Sequence, residues 1–320
     1  MHPLASRVLK KTRKTFCKEN YNEDRGMRLL PQLYCESASE HIYDMLADDQ
    51  PRMISRYGMT ELRIVRRYYN LRRSGLLART ARFVMGRSGP FWFEDVDRTH
   101  IKELSGVFPN DDETLKKFAS LYLDIIPQID ILASWCAGEW DLRRELKHVK
   151  LIGLHDLEPF RNFRPWSRVL EGKRVLVVHP FESTIRSQFN KRALLFEDPE
   201  VMPEFELDVI PAVQSLSGGD GRFKNWFEAL EHMKGEMAAR EFDIAIIGAG
   251  AYGMPLAAHA KSLGKKGIHF GGATQLLFGI RGRRWDERLD YNWLPNEHWV
   301  RPASDEKPKT ADKVEGACYW

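Results

Sequence analysis

Residues 242–285 read FDIAIIGAGAYGMPLAAHAKSLGKKGIHFGGATQLLFGIRGRRW, and this stretch decides the fold. An apolar, β-branched run at 243–247 is short enough to be a strand buried on both faces. After a glycine-rich loop, a helical pattern at 254–263 has Pro255 in its first turn, where a missing N–H costs nothing. A second strand pattern follows at 267–270. A strand, a helix and a strand in so short a span predict a right-handed crossover between parallel strands.

The loop between the first strand and the helix has the spacing Gly248-x-Gly250-x-x-Gly253, which matches the dinucleotide-binding fingerprint. The fingerprint also expects an acid at the end of the second strand. That strand ends instead in His269, with no Asp or Glu beside it. Three interpretations therefore stay open: a loop that binds the phosphate or diphosphate of a ligand, an NAD(P)- or FAD-dependent oxidoreductase, and a structural turn that lets helix and strand approach.

Strand and helix patterns alternate through the rest of the chain. Helix patterns include one after a cap at Asp111 or Asp112 and others at 139–147 and 222–240. Strand patterns lie at 52–56, 129–133, 151–154, 173–178 and 205–211. The alternation predicts an α/β fold, with an open, mostly parallel Rossmann-like sheet and helices on both faces.

The domain organisation follows from where this alternation begins and ends. We expect a basic N-terminal arm at 1–45, a single α/β domain at 46–285 and an irregular C-terminal tail at 286–320. Hydrophobic residues make up 43% and charged residues 29% of the 320 residues, as is usual in soluble proteins. The four cysteines form no CxxC motif, and no apolar run approaches membrane-spanning length. These features predict a cytoplasmic protein.

Positive charge is concentrated near the amino terminus. Between Arg52 and Arg87 there are ten arginines and one acid, Glu61. The basic residues Arg7, Lys10, Lys11, Arg13, Lys14 and Lys18 precede any acid. Arginine forks suit phosphates, so the pattern fits an anionic substrate, peripheral contact with the inner face of an anionic membrane, or a solvated helix face. The basic segments lack a nucleic-acid reading motif, which disfavours a nucleic-acid partner.

Candidate site residues follow the strands, because ligands of open parallel sheets bind at the carboxyl edge. Arg56 and Glu61 flank the turn after the first strand, and His179 ends the strand in the middle of the chain. His179 could act as a general base, as a hydrogen-bond donor to phosphate or as a structural group. The other candidate binding residues on loops of this edge are Gly58, Thr60, Glu182, Ser183, Arg186, Gln214, Gly248, Gly250, Gly253, Gly271, Gly272 and Gln275.

Three of these stretches together resemble the GT-D-fold glycosyltransferases, bacterial enzymes of surface-polysaccharide and glycoprotein assembly. They are SRYGMTEL at 55–62, the segment 179–188 and the segment 243–253. The first is similar to the family's Arg-aromatic-Gly-Asp-Gly-Glu pattern, whose two acids form a metal-linked diphosphate site. The resemblance implies a nucleotide-sugar donor and a glycan or lipid-linked acceptor. We expect Glu61 and His179 to be catalytic residues, with Glu61 orienting the sugar, binding a metal or acting as the base.

The chain departs from the family pattern at Met59, which stands where the family has its first acid. The family's divalent cation, Mn²⁺ or Mg²⁺, would then have only Glu61 as a ligand, since a thioether is a poor ligand for a hard cation. Arg56, Arg186 or the arginines at 281, 283 and 284 could neutralise the leaving diphosphate instead.

Overall fold

The computed structural model describes residues 3–17, 27–215, 221–307 and 318–320. Lys18 lies outside the described residues, as does Gly218-Gly219, where the sequence predicts a turn after the strand at 205–211. The strands are β1 Arg52–Ser55, β2 Ile131–Ser134, β3 Lys150–Gly153, β4 Arg174–His179, β5 Glu206–Pro211, β6 Ile244–Ile247 and β7 Lys266–His269. They form one seven-stranded sheet in the order β3-β2-β1-β7-β6-β4-β5, and every pairing is parallel. The predicted open α/β fold is confirmed.

Helices lie along the chain between and beyond these strands. The longer helices are α1 Pro3–Phe16, α2 Cys35–Ala47, α3 Met59–Arg72, α4 Leu76–Val84, α5 Asp95–Ser105, α6 Asp112–Ile125, α7 Glu182–Phe189, α8 Trp226–Ala238 and α9 Gly253–Ser262. Two four-residue helices follow, α10 Thr274–Leu277 and α11 Arg283–Asp286. The predicted cap of α6 is confirmed, because the Asp111 side chain accepts a hydrogen bond from the Thr114 N–H.

The two faces of the sheet carry separate cores. In β6, Ala245 and Ile247 belong to a core with α3, α6, α8 and α9, whereas Ile244 and Ile246 belong to a core on the opposite face. This division follows from the alternation of side chains along a strand. The second core contains residues of α2 and α7 and, from the expected tail, Tyr291, Leu294 and Trp299. Part of the expected tail, 308–317, lies outside the described residues.

The β6–α9–β7 unit has the geometry that its sequence indicates. Gly264 follows α9 with a φ of 76°, a conformation that favours glycine. Gly267 lets β7 approach α9, because a β-carbon there would lie 2.4 Å from the Ala257 carbonyl oxygen. The loop after β6 and the amino terminus of α9 therefore lie at the carboxyl edge of the sheet.

The predicted helix at 139–147 is wrong. The chain forms a short 3-10 helix, Ala137–Leu142, and then turns. Glu139 is fully buried there, and its carboxyl group accepts hydrogen bonds from the Ser134 hydroxyl and, at 3.5 Å, from the Trp135 N–H. These local side-chain bonds hold the loop after β2 in a non-helical path.

Candidate functional site

A cavity of about 240 Å³ opens at the carboxyl edge of the sheet. Residues at or just beyond the ends of six neighbouring strands line it, one from each: Trp135 after β2, Arg56 after β1, His269 of β7, Gly248 after β6, His179 of β4 and Ala212 after β5. Because all strands are parallel, residues far apart in sequence meet at this edge.

Most of the sequence-predicted site residues line this cavity. They are Arg56, Gly58, Thr60, Glu61, His179, Gln214, Gly248, Gly250, Gly271, Gly272 and Gln275. The two expected catalytic residues thus share one cavity with the glycine loop, although their catalytic roles stay predictions.

Four expected site residues lie outside the cavity lining: Glu182, Ser183, Arg186 and Gly253. Arg186 forms ion pairs with Glu182 at 3.1 Å and Asp208 at 3.0 Å, which direct it away from a ligand. The Ser183 N–H and hydroxyl donate to Glu306 at 2.7 and 2.8 Å. A carboxylate of the chain itself therefore occupies the amino terminus of α7, where Glu182 and Ser183 were expected to bind a ligand.

The glycine loop makes room for two histidine rings. A β-carbon at Gly248 would lie 2.6 Å from His179 Cδ2, and one at Gly253 would lie 2.2 Å from His269 Cδ2. Gly250 has a φ of 53° and open space around it. Close approach of side chains thus accounts for two of the three glycines, and His269 stands where the dinucleotide fingerprint has its acid.

Glu61 is the only acidic side chain among the described residues that line the cavity. It lies in the first turn of α3 and is buried. Burial raises its pKa above the usual value, and a hydrogen bond from its own N–H, the charge of Arg56 and a hydrogen bond from Ser105 offset this only in part. A carboxylate with a raised pKa is better matched to proton transfer near neutral pH.

Arg56 provides a guanidinium group to the same cavity. Its Nε and Nη2 atoms donate to the Tyr57 carbonyl at 3.3 and 3.1 Å, and the group lies 5.2 Å from the centre of the Trp135 ring. Within the described part of the chain no carboxylate forms an ion pair with Arg56, so its charge is available to an anionic ligand.

His179 has its hydrogen on the nitrogen that does not face the backbone. The Phe181 N–H donates to His179 Nδ1 at 3.1 Å, so the neutral ring carries its hydrogen on Nε2. Burial lowers the pKa of His179 to about 3. At neutral pH the ring is therefore a hydrogen-bond donor at Nε2, and the geometry favours this role over that of a general base.

His269 was not predicted as a site residue; the sequence analysis mentions it only because the dinucleotide fingerprint expects an acid at the end of this strand. Its Nδ1 lies 3.4 Å from the Ser55 hydroxyl, and its pKa is lowered to about 3 by burial and, secondarily, by the charge of Arg56. The ring is neutral and lines the cavity between β1 and β6. Its position at a strand end was the signal that could have identified it.

Several buried polar atoms at the cavity have no hydrogen-bond partner among the described residues. Gln275 is 1% exposed; its Nε2 donates to the Ile280 carbonyl at 3.2 Å, while its Oε1 has no partner. Gln214 Oε1 is also without a partner, as is the hydroxyl of Thr274, which lies against Gly248. A buried polar atom left unpaired costs about 1–3 kcal/mol, so hydroxyl groups of a ligand would be stabilised here.

Aromatic residues of the cavity were not predicted from the sequence. They are Tyr122, Trp135, Phe181, Tyr252, Tyr319 and Trp320. Tyr122 donates a hydrogen bond to the Ala251 carbonyl at 2.6 Å, which holds the glycine loop in place. Arg284 donates to the Tyr319 hydroxyl at 2.7 Å and brings residues 318–320 to the cavity. Only Arg284 belongs to a feature that the sequence had indicated, the basic cluster after α10.

The residues of this cavity fit a divalent cation poorly. Met59 provides no carboxylate, and Glu61 is the only acidic side chain among the described lining residues. In the described ranges, no group of three or more His, Cys, Asp or Glu side chains could hold a metal ion. Two arginines, Arg56 and Arg284, line the cavity and provide positive charge there.

Comparison with protein-family models, with curated proteins and with solved structures finds no match to this chain, so the function is argued from the geometry of the cavity.

Proposed function

We propose that this protein is a glycosyltransferase that transfers a sugar from a nucleotide-sugar donor to a glycan or lipid-linked acceptor in surface-polysaccharide synthesis. The observation that carries the proposal is one cavity in which Arg56, which forms no ion pair with another described residue, lies near a buried carboxyl group, Glu61. The resemblance of residues 55–62 to the GT-D pattern supports the same reading. We expect this reaction to take place in the cytoplasm.

The cavity supplies complementary groups for both parts of such a donor. The Arg56 guanidinium and the His179 Nε2–H are donors suited to the oxygens of a diphosphate. The unpaired Oε1 atoms of Gln214 and Gln275 are acceptors suited to sugar hydroxyls. The Trp135 ring beside Arg56 provides an apolar surface next to the charged group.

In the proposed reaction the acceptor hydroxyl oxygen bonds to the anomeric carbon of the donor sugar. Glu61 takes the hydroxyl proton, while the bond between the anomeric carbon and the diphosphate breaks and its electron pair leaves with the diphosphate. Arg56 stabilises the charge that develops on this leaving group, as a metal ion does in other enzymes. In this scheme Glu61 accepts the proton and Arg56 provides the positive charge, so no step uses a metal ion.

The alternative oxidoreductase reading receives no support from the glycine loop. Gly248 and Gly253 are explained by the packing of His179 and His269, and no acid stands at the end of β7 to hold a ribose. Nicotinamide and flavin cofactors remain useful as comparison ligands in the test.

A thermal-denaturation screen tests the proposal. The ligands are a panel of uridine, guanosine and thymidine diphosphate sugars, with NAD⁺, NADP⁺ and FAD as comparisons. A ligand of the native state at a hundred times its Kd stabilises it by about 2.7 kcal/mol, so we expect at least one nucleotide sugar to raise the melting temperature. Stabilisation by a dinucleotide cofactor alone would contradict the proposal.

A further inference from the structure

A second feature of the molecule lies away from the cavity, on α1 and the neighbouring helix α4. Arg13 fastens α1: its Nη1 donates to the carbonyls of Phe83 and Ser88, both at 2.8 Å, and its guanidinium group lies 4.8 Å from the centre of the Phe83 ring. Arg13 is 7% exposed. The face of α1 that contains Arg13 therefore points towards the protein.

The opposite face of α1 combines apolar and basic side chains. At 100° per residue, Leu4, Val8 and Lys11 lie on the side of the helix away from Arg13, and Arg7 and Lys14 flank them. Leu4 is 63% and Val8 is 62% exposed. Large aliphatic side chains on a helix face are ordinarily buried, so the exposure of Leu4 and Val8 makes this face suited to contact with an apolar surface.

The helix α4 exposes leucines in the same way. Phe83 is its one buried residue among those described, whereas Leu76 is 57% and Leu77 is 87% exposed. Six of the sixteen large hydrophobic residues that are exposed in the described part of the chain lie on these two short segments: Leu4, Val8, Phe16, Leu76, Leu77 and Met85. The two segments adjoin, because Arg13 of α1 contacts Phe83 of α4, and this distinguishes the surface from single exposed residues elsewhere.

The charge of this basic–apolar surface, formed by α1 and residues 76–85, selects the partner. Neither α1 nor the whole stretch 62–93 contains an acidic residue. A second copy of the same surface would be repelled, and a nucleic acid would gain nothing from exposed leucines. An anionic bilayer suits both the basic and the apolar side chains of this surface, because its headgroups attract the cations and its acyl boundary accepts the leucines.

We propose that the basic–apolar surface docks the protein on an anionic lipid bilayer, with Leu4, Val8, Leu76 and Leu77 entering the interface and Arg7, Lys11 and Lys14 contacting headgroups. No helix in the described ranges is both long and apolar enough to cross a bilayer, so the docking is peripheral. The surface is separate from the cavity residues, and the proposal does not depend on the proposed glycosyltransferase activity.

Co-sedimentation of the full chain with phosphatidylcholine vesicles, with and without phosphatidylglycerol, tests the proposal. We expect binding only to the anionic vesicles and a decrease in binding at high salt. A triple variant with Arg7→Gln, Lys11→Gln and Lys14→Gln should bind about a hundredfold more weakly, at roughly fivefold for each cation removed near the membrane surface. The matched control is Lys191→Gln, an exposed lysine outside this surface, which should bind as the unaltered chain does.

The apolar part of the surface is tested by the double variant Leu76→Ser and Leu77→Ser, with Leu289→Ser, 86% exposed in the native chain, as its control. The double variant should lose at least tenfold in vesicle affinity while the control loses none. Nucleotide-sugar binding should be unchanged in all these variants, which separates this test from that of the proposed function. Equal binding to neutral and anionic vesicles, no binding to either, or salt-sensitive binding to duplex DNA that ignores the leucine substitutions would overturn the proposal.

Discussion

The carboxyl group of Glu61 lies over the α-carbon of Gly58, so closely that a β-carbon on residue 58 would be 1.9 Å from Glu61 Oε2. Gly58 is the N-cap residue of α3, and its φ of −85° is open to any residue. The glycine is therefore required by the position of the Glu61 side chain rather than by the backbone.

Gly58→Ala should displace the Glu61 carboxyl group without unfolding the protein. We expect glycosyl transfer to fall by about a hundredfold or more, the size of a typical general-base contribution. Gly75 is the matched control, because it is the N-cap residue of α4 and has open space around it. The test measures steady-state turnover of Gly58→Ala and Gly75→Ala after thermal denaturation has shown that both variants are folded. Equal turnover in the two variants would reject the role given to Glu61.

Gly248→Ala should destabilise the protein, because the new methyl group would meet the His179 ring and the Thr274 hydroxyl, each 2.6 Å away. Overpacking of this kind costs about 1–3 kcal/mol. The control is Gly235→Ala, which lies in α8 with open space around it and should be stabilised by roughly 0.5–1 kcal/mol. Urea unfolding of the two variants measures the difference, and a stable Gly248→Ala would show that the close contact is not needed.

The buried His179 should make the protein lose stability in acid. Its pKa is lowered to about 3 in the folded state from a model-peptide value of 6.5, so below pH 6.5 the unfolded chain binds a proton that the folded chain does not. Stability then falls by about 1.4 kcal/mol per pH unit, or about 3 kcal/mol by about pH 4.5. In His179→Asn the amide oxygen can accept the Phe181 N–H, and we expect this variant to lose less stability between those pH values. Urea unfolding at several pH values measures this difference. If the free energy of unfolding of His179→Asn and of the native protein decreased equally with falling pH, the lowered pKa of His179 would be contradicted.

Glu139 should produce the opposite pH dependence. Burial raises the pKa of its carboxyl group to about 7 from 4.5, so between these values the unfolded chain loses a proton that the folded chain keeps. Folding stability from this group is fully present below pH 4.5 and decreases by about 3 kcal/mol as pH rises through 7. Glu139→Gln removes this decrease, so the free energy of unfolding of the variant should rise relative to that of the native protein between about pH 4.5 and about pH 8. A constant difference between the two across this range would show that Glu139 is ionised in the fold.

The sequence was sufficient to predict that Arg56, His179 and the Gly248 loop lie at one edge, because strands that alternate with helices run parallel and end together. The sequence predicted wrongly that Arg186 and Ser183 belong to the site. Their partners are Asp208 of β5 and Glu306 of the expected tail at 286–320. Pairings between segments so far apart in the chain leave no local pattern in the sequence.

The aromatic lining of the cavity was beyond the sequence for a related reason. Trp135 faces Arg56 because its indole N–H donates to the Tyr57 carbonyl at 2.7 Å, a contact between loops of two adjacent strands. Tyr319 reaches the cavity through Arg284, from a segment that the sequence indicated only as an irregular tail. Residues whose positions depend on packing between distant segments carry no periodic signal.

Isothermal titration of a nucleoside diphosphate tests the central claim, that Arg56 holds the diphosphate of a nucleotide-sugar donor. The comparison is between the native protein, Arg56→Gln and Arg144→Gln, an exposed arginine outside the cavity. Loss of a charged hydrogen bond of about 1.5–3 kcal/mol predicts that Arg56→Gln binds roughly ten- to a hundredfold more weakly, whereas Arg144→Gln binds as the native protein does. Equal affinity in all three proteins, or no binding of uridine, guanosine or thymidine diphosphate by the native protein, would contradict the account.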